Sequence, residues 1–187
     1  MPELNEGDKK HCRDRAFYAY GTGRIFEKRA RTLSRQRHLI TFLGIAVPLV
    51  VGGTVLSFGT DQSFVPCLFV IAGVLMILQL VVSVWSLVAR WDERYSYAVG
   101  ASQSNTKLYN DWKAVLDRTP NNASEKIKEL DAEDQRQEAT DVAQHITDKE
   151  KRFAMRSTLF YMKLSCLTCS ETPQSMKSSK CDTCGNF

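Results

Sequence analysis

Four cysteines near the C-terminal end of the chain have the spacing of metal ligands. Cys166, Cys169, Cys181 and Cys184 form two C-x2-C pairs separated by eleven residues, and Gly185 follows the last cysteine. Each pair presents two thiolates to one ion, and the intervening loop is long enough for the pairs to converge. Four thiolates at about 2.3 Å satisfy the tetrahedral preference of zinc. The pattern predicts a structural zinc site with no open position for water.

The cysteine-rich tail has alternatives both for the metal that it binds and for its role beyond metal binding. An iron-sulfur or rubredoxin-like iron site has similar ligand requirements, whereas a disulfide pair is disfavoured in the cytosol. Lys163, Lys177 and Lys180 flank the cysteines and are compatible with a nucleic-acid partner. A folding staple or a protein-docking element is favoured, because the loop between the pairs contains no aromatic residue for base stacking.

Two long apolar runs precede the cysteine-rich tail in the sequence. The first begins at Leu39 and ends at Phe58, the second extends from Val65 to Ala89, and Asp61 is the single charged residue between them. About 20 apolar helical residues cross a hydrocarbon core of roughly 30 Å. A buried helix pair of a soluble protein needs a polar face, and a signal peptide has a shorter apolar region. The runs predict an all-α integral membrane protein with a two-helix hairpin over residues 39–89.

Basic residues near the two spans predict the orientation of the hairpin. Residues 1–38 contain ten Lys or Arg against five Asp or Glu, a net charge of +5, and the turn between the spans contains no Lys or Arg. The positive-inside rule therefore places both termini in the cytoplasm. A solvated helix face is the alternative role for these side chains. The residues predicted to lie at the headgroups of the bilayer are Arg24, Lys28, Arg29, Arg31, Arg35, Arg37 and Arg90.

The hydrophilic flanks are predicted to be helical. Residues 1–38 form a basic cytosolic helix, with a hinge at Gly21 and Gly23. Residues 90–164 form a cytosolic antiparallel helix pair, and residues 165–187 form the zinc-knuckle tail. The first helix of the pair continues from the second span. The second begins after Asn122, an expected N-cap that forms a capping box with Glu125, and extends as one mostly solvated, charged helix towards residue 164.

Polar and small residues recur along one side of each span. They are Gln79, Ser83 and Ser86 in the second span, Gly44, Pro48 and Gly52 in the first, and Gly73 as a further small contact position. A polar side chain in lipid needs a partner or water. These residues therefore either hold helices together or line a pore, and packing considerations alone favour the first interpretation. A pore requires a homo-oligomer, because two helices enclose no lumen.

No set of residues at a recognisable catalytic spacing is present in the sequence. His11, His38 and His145 are isolated from one another and from any Ser, Cys or Asp at a triad spacing. With 187 residues, the chain also has little room for a separate domain with a deep cleft. We therefore expect a protein that is not an enzyme. A membrane-bound enzyme acting on lipid is a third reading, to which the missing acid, base or nucleophile is the objection.

The chain resembles the bacterial SLATT group of two-span membrane effectors, and especially the mobilome family named for a CxxCx(11)CxxC tail. The resemblance covers residues 10–187 and is carried by the basic helix RIFEKRARTLSRQRH, the hairpin, the aromatic helix WDERYSYAVGASQSNTKLYNDWKAVLD and the four cysteines. It implies an effector in conflicts with phage or mobile elements. Such an effector oligomerises and forms a pore in the bacterial inner membrane, with a reverse transcriptase or nucleotide-signalling partner. The alternative is a non-conducting membrane anchor whose zinc knuckle recruits a cytosolic protein or nucleic acid.

Overall fold

The described residues of the computed structural model, 4–58 and 63–187, contain five α-helices and no strand. The predicted turn around Asp61 lies outside these residues. The helices are α1 (Glu6–Phe58), α2 (Val65–Val88), α3 (Trp91–Asp117), α4 (Ala123–Val142) and α5 (Asp148–Met162). The all-α part of the prediction is therefore confirmed.

The chain forms two compact units. We call Met1–Arg29 with Tyr97–Phe187 the helical unit, and Ala30–Ser96 the apolar unit. The boundaries between the units fall inside α1 and α3. They therefore do not coincide with the hydropathy boundaries of the sequence, because α1 and α3 each supply side chains to both units.

The apolar unit contains two helices that are long and apolar enough to cross a membrane. In the most apolar 18-residue stretch of α1 no residue is buried, and in that of α2 only 6% are. Leu56 is 90% exposed and Leu87 is 74% exposed. A core helix of a soluble protein buries such side chains, whereas these helices present them outward.

A left-handed residue separates α2 from α3. The sequence predicts one continuous helix from the second span to about Arg118, but α2 ends at Val88 and Arg90 adopts a φ of 52°. The N–H groups of Ala89 and Arg90 donate to Trp85 O and Leu87 O, and these hydrogen bonds close the last turn of α2. The chain then continues directly as α3 from Trp91.

The predicted hinge at Gly21 and Gly23 is wrong, because both glycines lie inside α1. A Cβ on Gly21 would approach Thr158 Oγ1 to 3.0 Å, and a Cβ on Gly23 would approach Asn105 Cβ to 3.4 Å. The two glycines therefore allow α3 and α5 to pack closely against α1. The main core of the helical unit lies alongside and includes the fully buried Trp112.

The predicted single helix after Asn122 is two helices. Thr147 caps α5: its hydroxyl accepts from the Glu150 N–H, and the Glu150 carboxylate accepts from the Thr147 N–H. This is a capping box, whereas the side chain of Asn122 makes no capping hydrogen bond to α4. The capping box that marks a helix start is therefore formed by Thr147 and Glu150 at the beginning of α5. Residues 143–147 connect α4 to α5.

Arg29 of α1 holds this connection in place. Its guanidinium donates to the Glu150 carboxylate, with Nη2 to Oε2 at 2.7 Å, and to the carbonyl oxygens of Gln144 at 2.9 Å and His145 at 3.3 Å. Burial disfavours the charged form of Glu150. The hydrogen bonds from Arg29 and Thr147 outweigh this cost and lower the pKa of Glu150 to about 2. Arg29 therefore has a structural partner inside the helical unit.

A buried polar network joins the end of α4 to α3. Asp141 is 3% exposed, and its carboxylate accepts hydrogen bonds from Tyr97 Oη (2.7 Å), Asn105 Nδ2 (2.8 Å) and Gln137 Nε2 (2.9 Å). Burial is the main reason why the pKa of Tyr97 rises to about 12. The prediction that this charged segment is only a solvated face is therefore wrong at Asp141.

A second polar contact joins α4 to α1. His11 Nε2 lies 2.8 Å from Asp131 Oδ1, and the His11 ring packs edge-on against Trp112 with centroids 5.7 Å apart. Arg15 lies 3.6 Å from Asp134 and 3.7 Å from Asp131. His11 is thus not isolated in the fold, contrary to the expectation from sequence. Its contacts tie α1 to α4.

Candidate metal centre

The four predicted ligands converge in the structure. The Sγ atoms of Cys166, Cys169, Cys181 and Cys184 all lie within 4.8 Å of one another, and the pair Cys169–Cys184 is 3.8 Å apart. A tetrahedral ion with sulfur ligands at about 2.3 Å has sulfur atoms about 3.8 Å apart. Cys166 and Cys184 are buried and the other two are half-buried. The donor set therefore fits one tetrahedral metal ion.

Two similar turns present the cysteine pairs. In the first turn Ser170 N–H donates to Cys166 O at 2.7 Å, and in the second Gly185 N–H donates to Cys181 O at 2.8 Å. The two turns also meet directly, since the hydroxyls of Thr168 and Thr183 are 2.7 Å apart. Each C-x2-C pair is thus folded back on itself, so both of its sulfur atoms face the other pair.

Backbone N–H groups favour one thiolate in each turn. Burial opposes the ionisation of Cys166, but the backbone N–H groups of Cys169 and Thr168 lower its pKa to about 7. Backbone N–H groups in the second turn likewise lower the pKa of Cys181. The pKa of Cys184 is raised, mainly by burial and by the neighbouring sulfur atoms. Four adjacent thiolates therefore need a cation, and a bound divalent metal supplies that charge.

A buried arginine on α5 anchors the loop between the cysteine pairs. Arg156 is 8% exposed, and its Nε donates to Ser175 O at 2.9 Å. Its Nη1 lies 3.4 Å from Ser179 Oγ and 3.5 Å from Cys184 O. Sequence reasoning missed Arg156, because nothing in its local sequence distinguishes it from the exposed basic residues of α5. Its guanidinium supports the metal site without touching the sulfur atoms.

Apolar contacts complete the attachment of the tail. Leu159 of α5 is buried in one cluster with Cys166 and Cys184, and Phe17 of α1 packs against the same cluster. At the chain end, the rings of Phe153 and Phe187 meet edge-on with centroids 5.7 Å apart. The metal site is therefore built onto the helical unit and is not a free tail.

Gly185 occupies a position with no room for a side chain. A Cβ there would lie 2.5 Å from Ser179 O and would also collide with Ser179 Oγ. We expect Gly185→Ala to weaken metal retention about 10- to 100-fold, because the second turn must move to relieve the overlap. Competition with a chromophoric chelator measures this change. Gly100→Ala is the matched control, since a Cβ on Gly100 meets nothing within 4 Å. Equal metal retention in the two variants would contradict the prediction.

The basic residues predicted to face headgroups have several intramolecular contacts. In the helical unit Arg24 pairs with Glu27, Arg29 binds Glu150, and Lys28 Nζ lies 4.2 Å from the centroid of the Phe153 ring. In the apolar unit Arg37 pairs with Asp92 at 2.9 Å and Arg90 with Glu93 at 3.4 Å. Their predicted contact with lipid stays a prediction, together with that of Arg31 and Arg35.

The polar and small residues of the spans occupy different environments. Gln79 Nε2 would lie only 2.6 Å from a Cβ on Gly44, so the amide of α2 packs directly on the backbone of α1. Ser86 Oγ donates to Ser83 O at 2.8 Å within α2. A Cβ on Gly52 or Gly73 meets nothing within 4 Å, and Pro48 is exposed. The structure thus brings Gly44 and Gln79 together, whereas Gly52, Gly73 and Pro48 lie on open surface.

Comparison with known proteins identifies a family but no individual relative. No curated protein and no solved structure matches the chain. A family model described as "Mobilome CxxCx(11)CxxC protein" matches residues 9–187, which include all five helices except the first turn of α1, and the four cysteines. The converging Cys166, Cys169, Cys181 and Cys184 have the spacing in that description. The chain therefore belongs to the mobilome CxxCx(11)CxxC protein family.

Proposed function

We propose that the protein is a SLATT-type membrane effector of a bacterial conflict with phage or mobile elements, and that it oligomerises to form a pore in the inner membrane. The observation that carries the proposal is the exposure of apolar side chains along α1 and α2, of which Leu56 and Leu87 are the extremes. Bilayer lipid or neighbouring copies of the hairpin cover such a surface. Membership of a mobilome-associated family supports the biological setting.

Oligomerisation follows from the geometry required of a pore. Two helices enclose no channel, so several hairpins must surround a common axis. Gly52 of α1 and Gly73 of α2 support such an assembly, because no atom lies within 4 Å of a Cβ at either position. Small residues at open positions let a helix of another copy approach closely. Ser83, Ser86 and Gln79 are the residues that we assign to the shared axis.

The remaining parts of the proposal concern orientation and the metal. Both termini lie in the cytoplasm, as the basic flanks and the turn without Lys or Arg support. The metal is zinc in a structural role, supported by four convergent sulfur donors that leave no open coordination position. A reverse transcriptase or nucleotide-signalling protein supplies the trigger, and the helical unit receives it. The chain itself carries out no catalytic step.

Dye release from liposomes tests the pore. We expect the purified wild-type chain to release dye, and the double variant Gln79→Leu, Ser83→Leu to release it at the background rate, because the lumen loses two of its three assigned polar side chains. Thr54→Val is the control: it also removes a polar group from a span, but the Thr54 hydroxyl is already bonded to Val50 O at 2.7 Å. Unaltered leakage of the double variant at equal membrane insertion would contradict the assignment of the lining residues.

A non-conducting anchor is the second candidate function. The packing of Gln79 on Gly44 favours it, because the one amide in the spans then has a role inside a single hairpin. In this case the metal-bearing tail recruits a cytosolic protein or a nucleic acid. An anchor releases no dye from liposomes, whereas Cys181→Ser abolishes its partner binding. The pair of assays therefore separates the two candidates.

A further inference from the structure

A cavity of about 290 Å³ lies in the helical unit between α1, α3 and α5. Its walls combine tyrosine rings with a paired acid and base: Tyr20, Arg24 and Glu27 of α1, Tyr109 and Asn110 of α3, and Tyr161 of α5. The metal site and the apolar unit contribute no residue to these walls. Flat rings beside a few converging polar groups are typical of sites for small aromatic ligands.

The tyrosines form a stack that is open at one end. Tyr161 lies against Tyr20 with ring centroids 4.4 Å apart and an interplanar angle of 14°, and Tyr109 meets Tyr161 edge-on at 6.2 Å. Tyr161 is nevertheless 52% exposed, while Tyr109 is 9% exposed. A further flat ring can therefore stack on Tyr161. The edge-on contact from Tyr109 fixes the orientation of the Tyr161 ring. Base-on-tyrosine stacking is a recurrent way of binding nucleobases.

The polar pair at the cavity wall offers a donor beside an acceptor. Arg24 Nη1 donates to the Glu27 carboxylate, which fixes the two side chains one turn apart on α1. Arg24 Nε is buried and has no hydrogen-bond partner among the described residues. Because Nε itself is buried, the donors that a ligand in the cavity can reach are the terminal N–H groups of the guanidinium, of which arginine has four against the one carboxylate of Glu27. About a third of the Arg24 and Glu27 side chains is exposed, 36% and 29% respectively.

We propose that this cavity binds the guanine base of a free nucleoside or mononucleotide. Guanine presents carbonyl O6 next to N1–H and the 2-amino group, so one edge offers an acceptor followed by two donors. A guanidinium recognises O6 and N7, and a carboxylate accepts from N1–H and the amino group. Arg24 and Glu27 supply these two groups side by side, and Tyr161 supplies the stacking face. The volume of about 290 Å³ accommodates one base with its sugar and excludes a folded nucleic acid.

Equilibrium binding of guanosine to the full chain in lipid nanodiscs tests the proposal. We expect saturable binding of guanosine, and binding of adenosine and cytidine that is at least about ten-fold weaker, because neither offers two adjacent donors to Glu27. Glu27→Gln removes the charged acceptor and is expected to weaken guanosine binding about ten-fold. Glu129→Gln is the control, since this exposed acid of α4 pairs with Lys126 and does not line the cavity.

A second pair of variants keeps the test decisive if Glu27→Gln disturbs α1. Tyr161→Ala is expected to lose the stacking contribution, whereas Tyr161→Phe retains the ring and therefore retains binding. The helical circular dichroism signal and the metal content confirm that each variant is folded. Absence of saturable guanosine binding up to about 1 mM would overturn the proposal. Equal affinity for guanosine and adenosine, or binding only of a guanine-containing single strand, would overturn it as well.

Discussion

Cys184→Ser is expected to lower the metal content of the purified protein from about one ion per chain to nearly none. Cys184 is 1% exposed, and its Sγ lies 3.8 Å from that of Cys169 at the centre of the cluster. A hydroxyl is a poor ligand for zinc, and three thiolates leave the tetrahedral site open. The tail then loses the cation that its remaining thiolates need. Elemental analysis of anaerobically prepared protein measures the effect and also distinguishes zinc from iron.

The same substitution is expected to release the tail from the helical unit. Residues from Cys166 onward have little apolar core of their own, and Leu159 and Arg156 contact them through the folded turns. We expect faster proteolysis after Leu164 and faster amide exchange in the tail, with the exchange of α3 unaffected. Cys67→Ala is the matched control, because Cys67 lies exposed in α2 and outside the cluster. Metal bound at full occupancy by the serine variant would show that the four sulfur atoms do not form one site.

Asp141→Ala is expected to destabilise the helical unit by about 3 kcal/mol. The substitution removes the acceptor of three hydrogen bonds, so the buried amide of Asn105, the half-buried amide of Gln137 and the half-buried hydroxyl of Tyr97 lose a partner together. Each buried donor left without an acceptor costs about 1–3 kcal/mol, and partial access of water reduces the sum. Chemical denaturation followed by the helical circular dichroism signal measures the change in the free energy of unfolding.

Two further variants provide reference values for the change in the free energy of unfolding caused by Asp141→Ala. Tyr97→Phe removes one of the three donors and is expected to cost about 1 kcal/mol. Asp111→Ala removes a half-buried acid that pairs with the exposed Lys107 at 3.2 Å, and we expect a change within about 0.5 kcal/mol. A cost for Asp141→Ala as small as that for Asp111→Ala would mean that the network is not buried in solution.

The metal ligands could be predicted from the local sequence pattern, whereas a residue that supports them could not. The spacing of Cys166, Cys169, Cys181 and Cys184 predicted one shared site, and the sulfur atoms do converge within 4.8 Å. Ligand spacing is visible in sequence because each turn is built from four consecutive residues. The role of Arg156 has no local signal in the sequence, since its guanidinium donates to backbone oxygens that lie 19 and 28 residues further along the chain.

Errors in the prediction of the flanks have a common cause. The residue types of Gly21 and Gly23 predict a hinge, but the close approach of α3 and α5 to α1 explains both glycines. The sequence predicts a capping box at Asn122, whereas Thr147 and Glu150 form the one that the structure contains at α5. Glycines and capping residues have several local uses. The neighbouring helices, which are remote in sequence, decide between those uses.

Composition along the chain was enough to indicate the helical class, two apolar helices of membrane-spanning length and the four-cysteine site. These properties depend on hydropathy and on short spacings, which each segment carries within itself. Folding alone decided that Asp141 is buried, that His11 meets Asp131, that Gln79 packs on Gly44 and that Arg24, Glu27 and Tyr161 share one cavity. These are contacts between different helices, and their free energy depends on which faces meet after packing.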